Sequence, residues 1–99
     1  MCLLMHVPLP PEPFNAAVSD GSAGPKIKQI LDADKPGAVY FCEHDGQRGG
    51  TLVVNIIDAS DMPVLAEPWF LTFNANVEFR VAMTPDDLVR SNLGALEKQ

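Results

Sequence analysis

Cysteine is scarce in this chain, and so are positive charges, aromatic residues and long apolar runs. Cys2 and Cys42 are the only two cysteines, far apart and with no CxxC or Cys/His cluster around either. That spacing argues against a disulfide framework and against a structural zinc site, and predicts two buried free thiols; no metal site is expected. Lysine and arginine number 7 against 13 aspartates and glutamates, a formal net charge of −6. An acidic chain with scattered cations is a poor partner for nucleic acid or an anionic membrane surface. No apolar run approaches the ~20 residues that span a bilayer. The start, Met1 to His6, lacks both a basic segment and a small-residue cleavage site, so the sequence predicts a cytoplasmic protein.

What is present describes one folded unit. Ninety-nine residues, 46% apolar and 20% charged, suit a single domain covering 1–99. Residues 1–7 form a short apolar run stopped by Pro8, Pro10, Pro11 and Pro13, which reads as a strand. Phe14, Ala17 and Val18, then Ile27, Ile30 and Leu31, follow helical spacing, while Gly21, Gly24 and Pro25 interrupt it. This predicts one kinked helix or, the preferred reading, two, with Pro25 in the first turn of the second. Strands are expected over 38–43 and 51–57, joined by a polar hairpin loop over 44–50.

Ser60 or Asp61 should cap the next helix, with a bend or break at Pro68. Residues 77–81 alternate as a fourth strand. Thr84 and Pro85 then open a terminal helix with Val89, Leu93 and Leu96 as its apolar stripe. The order β–α–β–β–α–β–α predicts an α+β fold of the ferredoxin-like, split βαβ kind, with four antiparallel strands and helices on one face.

The fourth strand sets Val77, Phe79 and Val81 against Glu78 and Arg80, but the other three carry apolar residues on both faces. Leu3, Met5 and Val7 oppose Cys2, Leu4 and His6; Val39 and Phe41 oppose Ala38, Tyr40 and Cys42; Leu52, Val54 and Ile56 oppose Val53 and Ile57 around Asn55. A single copy would therefore leave apolar surface on the open face, which predicts a homodimer through that face. Covering roughly 600–800 Å² per chain at ~25 cal/mol per Å² sets an upper limit of ~15–20 kcal/mol per subunit before association costs.

The segments Ala38-Val39-Tyr40-Phe41, Asp45-Gly46-Gln47-Arg48, Leu65-Ala66-Glu67-Pro68-Trp69-Phe70, Asn74-Ala75-Asn76-Val77-Glu78-Phe79 and Met83-Thr84-Pro85-Asp86-Asp87-Leu88 resemble a family of small bacterial proteins, the DUF3303-type group. Through it the chain resembles the dimeric α+β barrel (ferredoxin-like) superfamily, from about Phe14 to Leu96. The resemblance implies a fold and a dimer, not a reaction, because that superfamily spans monooxygenases, isomerases, haem-degrading enzymes and ligand-binding modules. None of its catalytic patterns maps onto residues of this chain.

Candidate chemistry rests on few side chains. His44, between Glu43 and Asp45, is a proton shuttle or a solvated hairpin histidine; His6 is a general base or a structural histidine. Glu78 and Arg80 project together from one strand face, to hold a ligand or to meet a partner. Asn55, among apolar residues, needs hydrogen-bond partners. Trp69 and Phe73, with Phe70, Phe79 and Phe41, line an apolar cavity or simply fill the core, and Tyr40 joins the ligand-binding candidates. The leading expectation is a small dimeric protein that binds a small organic molecule between sheet and helices, without a cofactor. A cofactor-independent monooxygenase or isomerase using His6 or His44, and a structural or regulatory interaction protein, are the alternatives.

Overall fold

The computed structural model describes residues 1–94. β1 (Cys2–Pro8) lies in the middle of the molecule, between β3 (Gln47–Asn55) and β4 (Glu78–Ala82), and β2 (Ala38–His44) pairs with the far side of β3. The four strands make one open sheet in the order β2-β3-β1-β4, antiparallel throughout. Two helices, α1 (Pro11–Ser19) and α2 (Ala23–Asp34), separate β1 from β2; α3 (Asp61–Phe73) separates β3 from β4, and α4 (Pro85–Arg90) follows.

Side-chain alternation sorts the sheet into two faces. On one, Leu3, Met5, Val7, Leu52 and Val54 are buried against Phe14 and Ala17 of α1, Ile30 of α2, and Trp69 and Phe73 of α3. Phe73 sits between the other two aromatics, 5.1 Å from the Phe14 ring and 6.3 Å from Trp69. The opposite face carries no helix among those packed in the core. It presents Cys2, Leu4, His6, Tyr40, Cys42, Thr51, Val53, Glu78 and Arg80, so its apolar surface is crossed by a polar row in which Tyr40, Thr51, His6 and Glu78 are register neighbours.

Several expectations are refined. Gly21, at φ 81°, ends α1 so that two helices form. The polar loop expected over 44–50 collapses to a two-residue turn: Asp45 and Gly46 have φ values of 52° and 76°, the left-handed pair that matches strand twist. Pairing therefore runs out to His44 opposite Gln47, and Gly49 and Gly50 are strand residues. An added Cβ on Gly50 would meet Phe41 Cε1 at 3.0 Å, so this glycine exists to seat the Phe41 ring.

α3 runs unbroken through Pro68, contrary to the expected break, because Ala66, Trp69 and Phe73 on its inner face are all buried in the core. Ser60 occupies its N-cap without a side-chain bond, while the Asp61 carboxylate accepts from the amides of Ile57 and Asp58 at 3.0 and 3.2 Å. α4 opens with a reciprocal capping box between Thr84 and Asp87 and ends early, with Asn92 left-handed at φ 58°. No residue of α4 is buried, and Val89 is 77% exposed; Leu96 of the expected stripe lies outside the described residues.

Two glycine replacements separate close approach from mere flexibility. Gly50→Ala should lower unfolding free energy by ~1–2 kcal/mol, because the Phe41 ring must move. Gly24→Ala, in the first turn of α2 with open space around it, should raise it by ~0.5–1 kcal/mol. Urea denaturation of the two variants checks both signs.

Candidate functional site

Two recesses lie on opposite sides of the β2–β3 hairpin. The first, of about 460 Å³, opens between the hairpin and the helices α1 and α2 and is lined by Leu9, Phe14, Ile27, Phe41, Cys42, Glu43, Gly46, Arg48 and Gly49. Its floor is apolar, and Phe41 is left 51% exposed there. Arg48 stands at its edge, with the guanidinium carbon 4.9 Å from the centre of the Phe14 ring and Nη1 donating to Asn15 Oδ1 at 2.6 Å. The ring face and the amide oxygen thus hold a cation beside an oily cavity.

The second recess, of about 260 Å³, is a depression in the open sheet face lined by Leu4, His6, Cys42, His44, Thr51, Glu78 and Arg80. Gly49 creates it. Without a side chain on β3 at that point, the His6 ring can lean across the strand; a Cβ on Gly49 would meet His6 Cε1 at 3.4 Å. His6 thereby reaches His44, their ring centroids 5.1 Å apart and nearly edge-on. Thr51 Oγ1 and His6 Nδ1 share a hydrogen bond of 3.3 Å whose direction depends on the imidazole tautomer. The other nitrogen, Nε2, is buried without a hydrogen-bond partner, a state that costs about 1–3 kcal/mol. His44 Nε2 lies 3.5 Å from an Asp45 carboxylate oxygen, both groups largely in solvent.

The sequence candidates divide between these places and the core. His6, His44, Glu78 and Arg80 line the depression. Tyr40 lies on the same face in register with Thr51 and is 68% exposed. Trp69 and Phe73, expected to line a cavity, are wholly buried in the core on the other face; the apolar recess forms instead around Phe14 and Phe41. Asn55 needs no special partner, because it is the last residue of β3 and is exposed. The cysteines also differ from expectation, Cys42 being exposed and Cys2 half-buried, since both point to the uncovered face. Helical spacing marks Phe14 and Ile27 only as core positions, and the polar loop expected over 44–50 hides the strand that carries Arg48.

No family model matches this chain, and no curated protein does either. The site therefore rests on its own geometry. Among the described residues there is no group of three or more His, Cys, Asp or Glu side chains placed to hold a metal ion. None of the helices described is long and apolar enough to cross a membrane.

One ionisable group outside both recesses is strongly perturbed. Asp34, at the end of α2, is pushed up to about 6 by burial, partly offset by the Trp69 indole, which donates to its Oδ2 at 3.2 Å. The folded chain thus holds this proton more tightly than the unfolded one. The associated stability is full below about pH 4 and is lost as pH rises through about 6. Because the carboxyl is partly solvated, the effect should amount to no more than ~1 kcal/mol. Asp34→Asn, which keeps an acceptor for the indole, should match the parent chain's melting temperature near pH 4 and exceed it at pH 7. Melting curves across that interval test the sign.

Proposed function

We propose that this protein binds a small organic molecule with an apolar body and an anionic or polar end in the 460 Å³ recess between the hairpin and α1 and α2. The observation that carries the reading is Arg48, held by Phe14 and Asn15 at the edge of a mainly apolar cavity whose other charged wall residue, Glu43, is occupied in accepting from the Gly46 amide. Recesses of this volume, mostly apolar with a few fixed polar groups, suit small ligands. Neither histidine lines it, which favours binding over acid–base catalysis in this place.

The fold belongs to the same reading. The strand order β2-β3-β1-β4, with α1, α2 and α3 packed on one side, supports a ferredoxin-like split βαβ arrangement. Leu4, Val53, Tyr40 and Cys42 on the uncovered side support association of two copies through that face, as in a dimeric α+β barrel.

A thermal-shift series tests the binding half. Benzoate, salicylate, phenylacetate and indole serve as probes, and at 100-fold excess over Kd a native-state ligand adds about 2.7 kcal/mol, a rise of more than ~10 °C for a domain of this size. At least one carboxylate should raise the melting temperature, with the rise lost in Phe41→Ala and reduced in Arg48→Gln. No response to any probe, or an unchanged response in both variants, refutes the assignment and leaves the interaction-protein reading. Sedimentation equilibrium at micromolar concentration should find two-chain particles; single chains would remove the dimer.

A further inference from the structure

We propose that the depression on the open sheet face is a second binding site, independent of the apolar recess, that takes a small zwitterion of the α-amino-acid class. Three observations converge on it. Glu78 and Arg80 leave β4 on the same face two residues apart, about 7 Å along the strand. Among the described residues neither side chain has a hydrogen bond or an ion pair, although both line the same 260 Å³ hollow. An acid and a base so placed, each with its valences open, match an ammonium and a carboxylate carried by one small molecule. A simple anion would be repelled by Glu78, and a simple cation by Arg80.

The third contact is His6. Its Nδ1 is engaged by Thr51, so the ring is held, while Nε2 is enclosed without a partner. The ring lines the hollow, so a zwitterion bound there lies against it. Glu78 is the register neighbour of His6, and Arg80 that of Leu4, so the two charged ends and the imidazole surround one floor formed by Leu4. The volume equals that of about eight or nine water molecules, which admits an amino acid no larger than a short polar one. His44, exposed and edge-on to His6, stands at the rim.

The chain has only two histidines, so their imidazole nitrogen resonances can be assigned with one variant each. Long-range ¹⁵N–¹H spectra are recorded while L-serine is titrated, with ethanolamine and glycolate as probes carrying one charge only. Serine should move the His6 resonances saturably, and each single-charge probe should bind at least ~10-fold more weakly, the loss of one charge-assisted hydrogen bond. Glu78→Gln and Arg80→Gln should each weaken serine by a similar factor, and the double exchange E78R/R80E should recover part of it. The proposal is overturned by an imidazole spectrum indifferent to serine, or by glycolate binding as tightly as serine. It is equally overturned if the two glutamine variants lose a dimer by sedimentation while the parent shows no serine response, for then the charges serve the subunit contact. Thermal-shift results with the aromatic probes bear on the other recess alone.

Discussion

The turn at Asp45 and Gly46 fixes the register on which both recesses depend. With two left-handed residues and no more, β2 and β3 are locked so that Phe41 faces Gly50 and Cys42 faces Gly49. A slip of one residue would send each side chain to the other face of the sheet. The consecutive glycines then make room on opposite sides: Gly50 seats Phe41 toward the helices, and Gly49 lets His6 cross toward His44. Glu43 reinforces the turn by accepting from the Gly46 amide at 2.7 Å.

The asymmetry of the sheet follows from where the large side chains fall. Trp69, Phe73 and Phe14 all approach from one side, and Leu3, Met5, Val7, Leu52 and Val54 meet them there. The aromatic mass that sequence patterning offered as a cavity wall is therefore consumed in filling the interior. One recess remains at the hairpin end, where Ile27, Leu9 and Phe14 stop short of Phe41. The Trp69 indole has a second role, joining α3 to Asp34 of α2 while part of the molecule's charge is kept from water.

Much of the architecture was legible because periodicity and punctuation agreed. The strands, the division between α1 and α2 and the Thr84 cap follow from alternation, helical spacing and the chemistry of Gly, Pro and Thr. The hairpin was misjudged for a physical reason: Gly49 and Gly50 have low strand propensity, and only the opposing Phe41 and His6 rings explain their place in β3. Pro68 misled similarly, since burial of Trp69 and Phe73 outweighs one missing backbone bond. His6, Glu78 and Arg80 could be placed on one face from alternation alone. That they share a hollow with His44 could not, because it depends on cross-strand pairing and on the vacancy above Gly49.

Cys42 occupies an unusual vantage point. It is exposed, it lines both hollows, and the other thiol, Cys2, is half-buried at the far end of the sheet. A fluorophore joined to that sulfur would stand on the ridge separating two compartments, and its emission would register events on either flank of the hairpin.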